Sequence, residues 1–98
     1  MNVYVIVQLK FTDEHRYRRY QKQFANVFGQ FSGRLLCADE NPVTLDGQWE
    51  GDKIVLMSFP NEQEAKRFLE SANYQEIAED RKAGADTVSL LARGFQGT

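Results

Sequence analysis

A proline at position 60 separates the apolar run Ile54 to Phe59 from Asn61-Glu62-Gln63-Glu64, and that junction constrains the fold more than any other feature of the chain. The run is too short for a stable helix and suits a strand covered on both faces. Proline biases Phe59 toward extended geometry and offers no N–H to continue a ladder, while Asn61 with Glu64 three residues on resembles a capping box. A strand therefore ends at Phe59, and a helix is predicted from about Glu62. Ala65, Phe68 and Leu69 share one side of it at helical spacing. Ser71 then caps a further helical segment with Tyr74, Ile77, Ala78 and Arg81 on its inner face, and Gly84 is the expected stop.

Upstream, Val3, Val5, Val7 and Leu9 alternate with Tyr4, Ile6, Gln8 and Lys10, the period of a strand whose second face is only partly polar. Thr12 or Asp13 caps the next helix, on which Tyr17, Tyr20, Phe24, Val27, Phe28 and Phe31 recur at three- and four-residue steps. Two readings of that aromatic stripe stand: core packing against a sheet, or a stripe whose Tyr17 and Tyr20 hydroxyls edge a cavity. Gly33 is the expected end of the helix. Arg34 to Asp39 reads as a second strand, with Leu35 and Cys37 on one face and Arg34, Leu36 and Ala38 on the other. Val43-Thr44-Leu45 and Gln48-Trp49-Glu50, joined by Asp46-Gly47, have the form of a small hairpin. Trp49 there must pack on its own domain's rim or on a neighbouring subunit. The last strand is expected over Thr87 to Phe95, with a loose tail Gln96-Gly97-Thr98.

Composition narrows the function classes. A chain of 98 residues is expected to form one domain, residues 1–98, with a modest stability margin that a second subunit would widen. A net charge of −2 argues against a nucleic-acid or anionic-membrane binder. The one basic cluster, Arg16, Arg18 and Arg19, reads as a solvated helix face. No run has the length to span a bilayer, and Met1 to Lys10 lacks the pattern of a signal peptide, so a cytoplasmic location is expected. Cys37 is the single cysteine and reads as a small packed hydrophobe rather than a nucleophile. One cysteine and one histidine, His15, assemble no zinc or haem cluster, so no metal or cofactor is expected.

Strand, helix, strand, hairpin, strand, helix pair, strand is the order of an α+β fold, the ferredoxin-like split β-α-β sandwich: a four-stranded antiparallel sheet with its helices on one face. The other sheet face is bare and apolar, exposing, according to phase, Tyr4 and Ile6 or Val55, Met57 and Phe59. A patch of that kind predicts a homodimer joined through the sheets.

Within that order, Gly33-Arg34 at the strand entry, Leu45-x-Gly47-x-Trp49, the run Ile54 to Pro60, and then Ala65, Phe68, Ser71, Tyr74-Gln75 and Arg81 resemble the domain of unknown function 1330 family, over about Val3 to Phe95. The resemblance implies a dimeric α+β barrel, in which two ferredoxin-like subunits place their sheets face to face. It also implies a superfamily of small cofactor-independent monooxygenases, isomerases, dehalogenase-like enzymes and haem-degrading proteins, beside members with no known activity. Ser32 stands where the family commonly has a second glycine, Ala38-Asp39-Glu40 replaces a more basic strand end, and Ala72 stands where proline often opens the last helix. The first two departures alter the rim and charge near Arg34.

Two functions follow as alternatives. In the first, a pocket between helices and sheet binds a small organic molecule, with Tyr17, Tyr20, Arg34, Trp49 and Arg81 lining or guarding it. Arg81 would hold a carboxylate, a tyrosine would donate to a carbonyl or enolate, and Trp49 would cover a ring. Against each role stands a plain one: a surface ion pair for Arg34, and for Arg81 a salt bridge to Asp86 or Glu50. Cofactor-independent catalysis is a variant of this reading, whereas haem is disfavoured because His15 falls in the first helical turn, facing water. In the second, the protein is a non-enzymatic dimeric module, and Phe24, Phe28, Phe31 and Phe68 fill the space a ligand would need.

Overall fold

The computed structural model describes residues 2–95, so the expectation for the tail 96–98 lies outside the described residues. Strand β1 (Val3–Phe11) is central, with β3 (Lys53–Phe59) antiparallel on one side and β4 (Ala85–Arg93) antiparallel on the other. Strand β2 (Arg34–Asp39) pairs antiparallel with β3, giving the order β2-β3-β1-β4. Helices α1 (Glu14–Phe28), α2 (Glu62–Leu69) and α3 (Ala72–Gly84) connect the strands in the ferredoxin-like order.

The starts of all three helices follow from short polar side chains that accept an otherwise orphaned N–H. Asp13 accepts from Arg16 N, Asn61 from Glu64 N at 2.8 Å, and Ser71 from Tyr74 N at 3.2 Å. Glu64 does not complete a capping box; its carboxylate instead takes the N–H of Ser32 at 2.8 Å and the guanidinium of Arg67. Helix α1 ends before Gly33, at a turn opened by Gly29, so Phe31 lies beyond the helix yet still packs 5.3 Å from Phe68. Gly33 is required for clearance. A Cβ there would lie 2.7 Å from both the Phe28 and Phe59 rings.

Pairing register sets the faces. Val3, Val5, Val7 and Leu9 lie opposite Phe59, Met57, Val55 and Lys53, and this set faces the helices. The bare face therefore carries Tyr4, Ile6, Ile54 and Leu56, joined by Val88 and Leu90, each 55% exposed. Of the two phases open in the sequence, the one exposing Val55, Met57 and Phe59 is not adopted.

Three further expectations are corrected. Strand β2 does not alternate strictly, because a bulge between Leu35 and Cys37 shifts its register: Leu35 pairs with Met57 and Ala38 with Val55, both toward the helices, while Cys37 pairs with Leu56 on the bare face. The hairpin over Val43 to Glu50 is absent. Gly47 takes the positive φ of a turn (83°), but Val43 and Leu45 are 82% and 94% exposed, and three-residue arms without a packed face do not hold a ladder. The segment is tied to β1 near its end, where Lys10 Nζ donates to Glu50 O at 3.1 Å, Asp52 N donates to Leu9 O at 2.7 Å and Phe11 N donates to Asp52 Oδ2 at 2.8 Å. Strand β4 runs from Ala85 to Arg93, two residues earlier at each end than the span 87–95.

Candidate functional site

Helix α3 passes into β4 without a loop, and this connection fixes the site. The Gly84 carbonyl accepts the N–H groups of Thr12 and Asp13 at 2.9 and 3.1 Å, so the end of α3 lies against the start of α1. A Cβ at Gly84 would stand 2.5 Å from Tyr17 N, which only glycine avoids. The contact holds Arg81, one turn earlier, on the side of α3 that faces Tyr17 and Tyr20. Between these helices and the sheet lies a cavity of about 360 Å³.

Its wall is mainly apolar, formed by Val7, Leu9, Phe24, Val55, Met57 and Leu69. The polar groups of the lining are Tyr17, Tyr20, Tyr74, Lys53 and Arg81, together with Gln21, Gln75, Thr87 and Ser89. Tyr20 and Tyr74, from α1 and α3, share a hydrogen bond between hydroxyls at 3.0 Å. One O–H donates to the other oxygen, which leaves one phenolic proton to spend elsewhere. Burial pushes the Tyr17 phenol up to about 12, with the Glu40 charge adding to it. Burial and then Tyr74 push Tyr20 up as well, so both remain neutral donors near neutrality.

Lys53 enters the cavity from the first position of β3. It is 4% exposed, and its Nζ lies 5.0 Å from the Tyr17 ring centre and 3.6 Å from Glu40 Oε2. Burial lowers its pKa, and the attraction of Glu40 only partly opposes this. Glu40 is already engaged: Arg18 donates to both its oxygens, at 2.7 Å to Oε1, and that pairing holds the carboxyl down at about 2. Lys53 is thus a buried cation with a shared, loosely placed counter-charge.

Arg81 forms no ion pair with Asp86 or Glu50 among the described residues, and its buried Nε has no hydrogen-bond partner. The neighbouring arginines are absorbed differently: Arg16 and Arg19 both reach Asp80, at 2.6 and 3.6 Å, and Arg18 reaches Glu40 and Glu14.

Of the five residues singled out from sequence, the fold brings Tyr17, Tyr20 and Arg81 to one cavity. Arg34 is exposed on β2 opposite Ser58, on the bare face. Trp49 is half-buried over Gly51, beside Gln8, Lys10 and Val88, a second shallow site away from the cavity. Lys53 and Tyr74 were not singled out as site residues. Lys53 had a signal, since it continues the alternation of Val55, Met57 and Phe59 one step toward the N-terminus.

The family model for the domain of unknown function 1330 matches residues 2–95. The chain belongs to that family. No curated protein matches its sequence. Among solved structures, this family member resembles a protein of unknown function from Rhodopseudomonas palustris, with a TM-score of 0.81 and 13% identity over 97% of this chain and 83% of the other. A cofactor-independent oxygenase from Streptomyces nogalater gives 0.65 at 13% identity, covering 99% and 98%. A dimeric protein of unknown function with a ferredoxin-like fold, from Bacteroides fragilis, gives 0.60 at 10% identity, covering 95% and 96%. At these identities the likeness is one of fold.

Proposed function

We propose that the chain forms a homodimer through its bare sheet face and binds a small organic molecule in the cavity of each subunit. The observation that carries the binding reading is the cavity itself, about 360 Å³, apolar in most of its wall with a few convergent polar groups, which is the usual form of a small-molecule site. The competing reading, a dimeric module without a ligand, requires the phenylalanines to fill that space. They instead pack on one another: Phe28 and Phe59 lie 5.3 and 5.7 Å from Phe68, and Phe24 alone of the four reaches the cavity wall.

The dimer reading rests on the apolar set Tyr4, Ile6, Ile54, Leu56, Val88 and Leu90 on one unpartnered face, and on the existence of a dimeric neighbour with this fold. The likeness to an oxygenase lends the proposal a fold, not a reaction, and the proposal stops at binding.

Native mass spectrometry of protein purified from cells, followed by denaturing extraction, tests both parts. A dimer carrying one small molecule per subunit is the expected result. A monomer at micromolar concentration overturns the barrel. An empty protein that also takes up none of a broad panel of small aromatic and aliphatic acids, amides and alcohols overturns the pocket.

A further inference from the structure

The charged groups that line the cavity are all donors, and its neutral polar groups are tyrosines, Gln21, Gln75, Thr87 and Ser89. Lys53 and Arg81 are cations, and no aspartate or glutamate is among the lining residues. Among the described residues the Arg81 Nε–H is buried without an acceptor, and the anionic partner of Lys53 is the Glu40 oxygen at 3.6 Å, a long contact that Glu40 shares with Arg18. The Tyr20–Tyr74 pair retains one phenolic proton. These donors line one cavity with Tyr17, whose ring is 5.0 Å from Lys53 Nζ. Burying a cation away from water is unfavourable unless it is paired, and leaving a buried donor without an acceptor adds to that penalty. An anion with several lone pairs would satisfy these donors.

We infer that the natural ligand is an organic acid, an apolar body of one or two rings or the aliphatic equivalent bearing a single carboxylate or comparably anionic oxygen group, whose acid end accepts from Arg81 and Lys53. The body rests on Phe24, Met57 and Leu69, and the spare phenolic proton of the Tyr20–Tyr74 pair gives the acid a neutral third donor. A neutral amide of the same shape brings two donors of its own to a place already rich in them, and is rejected for that reason. This inference rests on the pocket reading above and names the chemistry that reading leaves open.

The test titrates the full chain calorimetrically with benzoate, phenylacetate and naphthoate, each against its neutral primary amide, up to roughly millimolar concentration, the weak end of specific binding. At least one acid is expected to bind about tenfold or more tightly than its amide, the discrimination of one charge-assisted hydrogen bond. In Arg81→Met and Lys53→Met, acid affinity is expected to fall roughly tenfold to a hundredfold and amide affinity to stay put. Acid and amide binding equally overturns the acid inference and leaves the pocket standing. Acid selectivity that survives both substitutions overturns the assignment to Arg81 and Lys53. Silence from every acid and amide overturns the acid inference, and silence from the broader panel of alcohols and aliphatic compounds as well overturns the pocket reading with it. The acid–amide comparison is made on the native protein, so it stands whether or not the variants fold.

Discussion

The layer between helices and sheet has two ends built from aromatic residues of similar size, and only one of them is filled. At the filled end Phe68, fully buried, meets Phe28, Phe31 and Phe59 at ring separations of 5.3 to 5.7 Å in edge-on and stacked contacts, and the Tyr74 ring lies 4.5 Å from it where the two ends meet. At the hollow end Tyr17, Tyr20 and Tyr74 stand beside Lys53 and Arg81 around open space. A phenylalanine is satisfied by any apolar neighbour, so phenylalanines can close on one another. A buried tyrosine hydroxyl, ammonium or guanidinium must meet a polar partner, and a cluster with more donors than acceptors cannot close in the same way. Polarity of the lining, more than its volume, distinguishes the two ends.

The largest expected effect tests the filled end. Phe68→Ala should lower stability by about 3–5 kcal/mol, as for other buried aromatics, and urea denaturation would show it as a lower midpoint. A loss under about 1 kcal/mol would mean that this end is not close-packed.

A matched pair of substitutions on β1 sharpens the contrast. Val5 and Val7 face the same way on one strand, but only Val7 lines the cavity. Val5→Ile, in packing that leaves Val5 1% exposed, is expected to be destabilising by about 1–3 kcal/mol. Val7→Ile extends into open space and is expected to be neutral or stabilising by up to about 0.8 kcal/mol, the worth of one buried CH₂. Equal effects in thermal denaturation would remove the distinction between the ends.

The smallest effect concerns the counter-charge at the hollow end. Arg18 holds the Glu40 carboxyl at about 2, below its ordinary value of 4.5. A depressed carboxylate gives stability that is fully present above 4.5 and is lost as pH falls toward 2. Because the Glu40 side chain is 39% exposed, the amount is expected to stay below about 1 kcal/mol. Glu40→Gln should therefore be less stable than the parent at about pH 7, with the gap narrowing below about pH 4.5 and closing only below about pH 2. A gap that widens in acid would show that Arg18 and Glu40 are not paired in solution.

Much of the fold was legible because local rules and the global arrangement agree. Asn61, Ser71 and Asp13 cap where short polar side chains cap, Pro60 ends a strand, and Val3 to Leu9 alternates as a half-buried strand does. The hairpin around Gly47 failed for a reason also visible in the structure. The turn chemistry is local and present, but strands need a packed face, and Leu45 has none. Cys37 lies on the face opposite to the one alternation predicts because a bulge of one residue reverses the alternation, and no residue type in Leu35-Leu36-Cys37 announces it. In the candidate site, Tyr17, Tyr20 and Arg81 were readable from their inward helical positions. Lys53 was not legible in the same way, since a lysine at a strand entry is ordinarily exposed.

The sequence alone determined the order of elements, the helix starts and the aromatic inner stripe of α1, since each depends on residues within a few positions of one another. Tertiary structure decided which face of β3 is bare, that Arg34 and Trp49 lie apart from the cavity, and that Lys53, Tyr74 and Arg81 line one cavity with Tyr17. Those outcomes depend on strand register and on the close approach of Gly84 to α1, contacts between residues dozens of positions apart, and periodicity along one element carries no information about which partner it will meet.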